Sequence, residues 1–352
     1  MDMNEGIGAA RLKQVEFSES LRPGARQAVE TCLRVEAAEK VTLIYDRVSE
    51  EIAAALAAAL NDVGCRWNGF LLEDLAPRPL DGMPAEVLAD MESSDVSIFA
   101  VTAQRNELKS RMQMTDVVNH RRMRHAHMVN ITPEIMCQGM RADYARVDRL
   151  SQRVMECVTR ARRIRATTAA GTAITAELNP EYKWLKTSGI ISREKWGNLP
   201  GGECFTTPGE VNGRFVVDGV VGDWLCARYG LLTDAPLTIE IAGNRVVSCA
   251  SANQALEADF RAYIATDENS NRVGEFAIGT NLGVERVIGN ILQDEKFPGI
   301  HIAFGNPYGE HTGAKWSSGT HIDVVGLGFN LWVASDAGEE QIMREGRFII
   351  EE

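Results

Sequence analysis

The chain has 352 residues, 45% of them hydrophobic and 24% charged, and carries a formal net charge of −12. That length exceeds what one hydrophobic core ordinarily serves, so two domains are expected. The negative field repels phosphate backbones and anionic lipid heads, which sets nucleic acids and membrane surfaces aside as partners, and no apolar run of about 18 residues is there to span a bilayer.

The opening "MDMNEGIGAARLKQ" has no basic segment leading into an apolar one, so no signal peptide is expected. Seven cysteines are dispersed without a CxxC pair, the usage of reduced thiols, and the expected location is cytoplasmic. "KVTLIYD" (Lys40–Asp46) predicts a strand that ends at a polar turn. Ser49 then reads as an N-cap, with Glu50 and Glu51 in the first turn of an alanine-rich helix that Gly64 stops. A strand at "CRWNGFLLE", a helix at "PAEVLADMES" and a strand at "DVSIFAVT" follow. Strands separated by helices of this length predict a mainly parallel sheet. The turn after the first strand, "DRVSEE", has neither GxGxxG nor GxxxxGK[ST], so residues 1–165 are expected to form a Rossmann-like α/β domain without a nucleotide motif.

"HRRMRH" (His120–His125) is a local basic cluster. Arg121, Arg122 and Arg124 are either a solvated, ion-paired face or a site for an anionic group. "DYARVDRLSQRVMECVTRARRIRA" (Asp143–Ala166) predicts one long helix. From about Thr167 the texture changes to short runs rich in glycine, valine, isoleucine and threonine, with a helix expected at "GVERVIGNILQDE". Residues 166–352 are therefore expected to be an α+β, β-rich domain, and the one that binds metal and catalyses.

Three of the six histidines fall within "HIAFGNPYGEHTGAKWSSGTHID" (His301–Asp323). In a strand, His321 and Asp323 project to the same face. With His301 they make a two-histidine, one-carboxylate set able to hold Zn, Fe, Mn or Co. Glu203 in "LPGGECFTTP", Glu275 in "RVGEFAIGTN" and Glu295 in "LQDEKFPG" are further carboxylates in strand-like or apolar settings, where an unpaired charge is costly. Counted with Asp323, these carboxylates balance two divalent ions rather than one.

The ordered motifs "GGECFTTP", "GEFAIGTN", "HIAFGNPY" and "GAKWSSGTHIDVV", closed by "NLWVASDAGEEQIMREGRF", resemble the M29 metallopeptidase family, of the aminopeptidase T and aminopeptidase S type. The resemblance covers most of residues 185–350, and the N-terminal domain only in outline. It implies a hydrolase that holds two divalent ions (Zn, Co or Mn), releases N-terminal amino acids from a small peptide or amide substrate, and forms a homodimer. Under it Glu203 is a bridging carboxylate and Glu275 the next metal carboxylate, and Glu275 or Glu295 moves a proton. Glu295, His301, His321 and Asp323 complete the ligands, and Tyr308 is the phenol facing the oxyanion. The family's glutamate stands five residues before the first histidine, whereas Glu295 stands six before His301. Glu310 and His311 are an extra pair, with His311 placed on a loop toward substrate. The family has relatives, the dihydroxypyridine ring-cleaving dioxygenases, which keep only two histidines and an aspartate around one Fe(II). The alternatives are thus an Fe(II) dioxygenase on His301, His321 and Asp323, and a binding module without catalysis.

Overall fold

In the computed structural model, which describes residues 8–350, Lys40–Tyr45, Arg66–Leu71, Val96–Ala100 and Arg124–His127 form a parallel sheet, extended by the two-residue strand Gly197–Asn198. The first strand lies between the second and the third. Helices Glu50–Val63, Ala85–Met91 and Leu108–Arg121 connect the strands. The predicted strands and the alanine-rich helix form where expected, and Gly64 ends that helix in the left-handed conformation at φ 79°. Ser49 departs from expectation, because its hydroxyl makes no cap bond. It donates instead to the carbonyl of Ala100 at 2.6 Å, tying the helix start to the third strand.

Where the connections reverse between the first and third strands, α/β sheets usually receive ligands. Here the guanidinium of Arg78 stands at that point. It pairs with Asp46 at 2.8 Å and Glu107 at 2.5 Å, and donates to the carbonyl of Thr102 at 2.6 Å. The basic cluster, at the opposite end of the Leu108–Arg121 helix from Glu107, is paired as well. Arg121 faces Glu92 at 4.0 Å, and Arg122 faces Glu194 at 3.0 Å. Arg124 turns inward to Glu39 and to the carbonyls of Leu33 and Arg34.

The chain divides into two compact units, residues 1–145 with 189–201, and residues 146–188 with 202–352. The break precedes residue 165 because Leu150, Val154 and Val158, on the Tyr144–Val158 helix, belong to the apolar core of the second unit. That helix is also shorter than the periodicity predicts. Arg163–Thr167 is a strand, paired on both sides by Ala173–Glu177 and Asn330–Ser335. The second unit has an eight-stranded antiparallel sheet that contains the expected closing hairpin, Asn330–Ser335 with Gly338–Arg344. A five-stranded antiparallel sheet runs in the order His321–Val325, Gly299–Gly305, Val273–Gly279, Glu203–Thr206, Leu185–Thr187.

The helix expected over 283–295 reduces to Ile291–Asp294. Gly289 takes φ 80°, and the Asp294 carboxylate accepts the backbone N–H groups of Ile288, Gly289 and Asn290 at 2.8 to 3.0 Å. Those donors are spent on a loop rather than on a helical ladder. Among the described residues no helix is long and apolar enough to cross a membrane, and the seven cysteines form no disulfide.

Candidate metal centre

The five-stranded sheet sorts its residues by the two-residue period. Ala303 lies opposite Glu275 on one side and Asp323 on the other, and His301 lies opposite Ala277 and Val325. Glu203 pairs with Gly279. Glu203, Glu275, His301, His321 and Asp323 therefore share one face, over a floor kept low by Ala277, Ala303 and Gly279. A register shift between Val273 and Glu275 brings Glu275 into line. The other face carries Cys204, Phe276, Ile278, Ile302, Phe304 and Ile322 in the buried core. Each large apolar side chain there contributes about 1.5–3 kcal/mol, and this anchors the strands that aim the polar face.

Donor atoms converge on that face. His301 Nε2 lies 3.3 Å from Glu275 Oε1, 3.5 Å from Glu203 Oε2 and 3.9 Å from Asp323 Oδ1. His321 Nε2 lies 3.6 Å from Asp323 Oδ1 and 4.0 Å from Glu275 Oε2. The Nδ1–H of His321 donates to the carbonyl of Asn306 at 2.9 Å. That bond fixes the tautomer and leaves Nε2 to face the cluster. Two groups have their donor atoms close enough to share an ion, Glu203 with Glu275 and His301, and Glu295 with His301 and Asp323. All are nitrogen or oxygen donors, so the set fits a first-row divalent ion.

In the metal-free protein the cluster's charges reorganise around its carboxylates. Burial pushes His301 down, but its hydrogen bond to Glu275 and the charges of Glu203 and Asp323 lift it to about 9. His321 likewise overcomes burial, through Asp323 above all, and rises to about 10. Burial lifts the Glu295 carboxyl to about 7, opposed by Lys296. Burial also acts upward on Glu203 and Asp323. Lys296 and His301 hold the first below the usual carboxylate range, and His321 holds the second there. The face is built to collect positive charge.

The ring of Tyr308 lies 4.6 Å from that of His321, tilted by 47°, and the residue is 43% exposed. Its backbone is left-handed, φ 48° and ψ 51°, and its N–H donates to Asn306 Oδ1 at 2.9 Å. A strained non-glycine residue beside convergent ligands is characteristic of functional sites. His311 is exposed on the short helix Gly309–Thr312, outside both donor groups.

Three participants escaped the sequence reading. Thr187 donates its hydroxyl to Glu203 Oε1 at 2.9 Å, and the Asn306 carbonyl orients His321. Lys296 is buried in the cluster, 2.6 Å from Glu203 and 2.5 Å from Glu295. The available signal was its place, five residues before His301, where the resembling family has its glutamate.

Residues 138–348 match the family described as thermophilic metalloprotease (M29). Among solved structures, wild-type AmpT from Thermus thermophilus is similar with a TM-score of 0.69 and 16% identity, over 95% of this chain and 100% of that one. The 2,5-dihydroxypyridine dioxygenase from Pseudomonas putida KT2440 is similar with a TM-score of 0.66 and 15% identity, over 96% of this chain and 99% of that one. At these identities the likeness is one of fold. No curated protein sequence matches the chain.

Proposed function

Because this chain belongs to the M29 metalloprotease family, we propose that it is a metal-dependent hydrolase of the aminopeptidase type, cleaving a small peptide or amide. The observation that supports this reading most is the convergence of His301, His321, Asp323, Glu275 and Glu203 on one sheet face, with donor atoms 3.3 to 4.0 Å apart. Zn, Co or Mn is the expected metal. When bound, such an ion acts as a Lewis acid and lowers the pKa of water toward neutrality.

The chain's own residues supply the rest. His301, His321 and Asp323 hold the ion, with Glu275 beside them. Glu275 moves the proton from the attacking water to the leaving amine, and burial raises its carboxyl above the ordinary carboxylate range, in the direction that this task needs. Tyr308 donates its phenolic hydrogen bond to the developing oxyanion. His311, on the short helix next to Tyr308, faces substrate. The active species is expected to be a homodimer, which the molar mass in solution tests.

The test is a paired assay on chelated protein. Cleavage of short peptides with a free N-terminus is expected to vanish on chelation and return with Zn, Co or Mn. N-acetylated peptides are expected to stay intact. Cleavage that persists after complete metal removal contradicts the reading.

A second reading, an Fe(II) ring-cleaving dioxygenase, is favoured by one observation. His301, His321 and Asp323 alone make the two-histidine, one-carboxylate set of such oxygenases. Iron in the purified protein, with oxygen uptake on a dihydroxypyridine and no peptide cleavage, selects it.

A further inference from the structure

An ammonium group is built into the carboxylate cluster. Lys296 is 1% exposed, with its Nζ 2.6 Å from Glu203 Oε1 and 2.5 Å from Glu295 Oε1. A buried lysine keeps its charge only where carboxylates meet it, and both of these do so at hydrogen-bond distance. The backbone holds it in place. Lys296 N–H donates to the carbonyl of Gln293 at 2.8 Å, and its carbonyl accepts from Asn281 N–H at 3.0 Å. The next residue crosses the sheet so closely that a Cβ on Gly279 would meet the carbonyl oxygen of Phe297 at 2.0 Å. Glycine at 279, opposite Glu203 in the register, is what lets this loop bring a lysine over the metal face.

The donors then divide into two sets. Glu203 Oε1 and Glu295 Oε1 hold the ammonium, and Glu203 Oε1 also accepts from Thr187. His301 Nε2, His321 Nε2, Asp323 Oδ1 and the Glu275 carboxylate remain. Their separations run from 3.3 Å for His301 to Glu275 and 3.6 Å for His321 to Asp323 up to 3.9 Å for His301 to Asp323 and 4.0 Å for His321 to Glu275. Ligands about 2.1 Å from one tetrahedral ion stand about 3.4 Å apart, so this second set suits a single ion. A second divalent ion on Glu203 and Glu295 would either compete with the ammonium for the Oε1 atoms or stand on the remaining oxygens against its positive charge.

We propose that the Lys296 ammonium stands in place of a second divalent ion, so that the centre binds one ion, held by His301, His321 and Asp323 with Glu275 beside them. One ion and one ammonium bring three positive charges to the four carboxylates, and the sequence expectation of two divalent ions gives way to this arrangement. Lys296 acts as a positioning residue. It fixes Glu203 and Glu295 beside the ion and restricts the metal count. The inference rests on the metal-centre reading above, but not on the reaction that the ion serves.

Equilibrium dialysis of the full chain against Zn, Co or Mn, followed by elemental analysis, tests it. The wild type is expected to saturate at one ion per chain, and Lys296→Arg to do the same. Lys296→Met frees both carboxylates and is expected to take up two. Two ions per chain in the wild type or in Lys296→Arg overturn the inference and leave the metal centre standing. One ion in a folded Lys296→Met protein overturns it as well. Should that variant not fold, the wild-type and arginine counts still decide. No ion in the wild type removes the metal-centre reading and the inference with it.

Discussion

In the N-terminal unit, His125 and His127 sit two residues apart on one strand and share a hydrogen-bonded contact of 3.1 Å. Ser97 Oγ meets His125 Nδ1 at 2.8 Å, and the rings of Phe99 and Trp196 pack around the pair. Burial and the neighbouring His127 hold His125 well below its ordinary value. Burial, with Arg111, holds His127 at about 4. In the C-terminal unit, His301 and His321 are also buried, yet carboxylates lift them to about 9 and about 10. Burial is common to the two pairs, and the neighbours differ. Imidazoles set among aromatic rings and a hydroxyl stay neutral and serve packing. Those set among carboxylates are held protonated by them. The ion pairs are alike in the two units, since Arg78 meets Asp46 and Glu107 as Lys296 meets Glu203 and Glu295, and the C-terminal cluster differs in adding Glu275 and Asp323, which face the histidines.

The largest expected effect separates the pairs by function. His301→Ala should reduce metal affinity and activity by more than about 100-fold, since even outer partners of metal ligands cost 10–100-fold. His127→Ala should lower the melting temperature and leave metal uptake unchanged, and loss of metal uptake in both variants would break the comparison. Arg78→Met leaves two buried carboxylates without a cation. It should destabilise the N-terminal unit by about 3–5 kcal/mol, read by denaturant unfolding, with metal stoichiometry unchanged.

A pH titration sharpens the contrast. His125 and His127 have folded values below the unfolded value of about 6.5. Below that pH the unfolded chain binds the protons first, so their contribution to stability, complete above pH 6.5, is lost as the pH falls toward about 4. The melting temperature of the N-terminal unit should fall across that window, and less steeply in His127→Gln. The smallest effect belongs to Thr187→Val, which removes one hydroxyl donor from Glu203 and should cost about 1 kcal/mol by unfolding.

The parts of this arrangement that follow a local period were legible in the sequence. His321-x-Asp323 read as one strand face, and the glycine-flanked Glu203 and Glu275 read as carboxylates needing a cation. The Asp143–Ala166 run looked uniformly helical. Its end is a strand because two partners, Ala173–Glu177 and Asn330–Ser335, pair with it, and local propensity carries no record of that. The 283–295 run kept helical spacing of apolar residues, but Gly289 and the bonds to Asp294 turned it into a loop. Lys296 was hidden by its type. A lysine in "DEKFPG" reads as a solvated turn, and only the close crossing at Gly279 puts it indoors. In "HRRMRH" the ion-paired, solvated reading holds for Arg121 and Arg122, whereas Arg124 and His125 on one strand are both buried.

Anomalous diffraction from zinc-soaked crystals tests the central claim most directly. The account predicts a peak about 2.0–2.2 Å from His301 Nε2, His321 Nε2 and a carboxylate oxygen of Asp323. Zinc-saturated crystals with no peak among these three residues would contradict it.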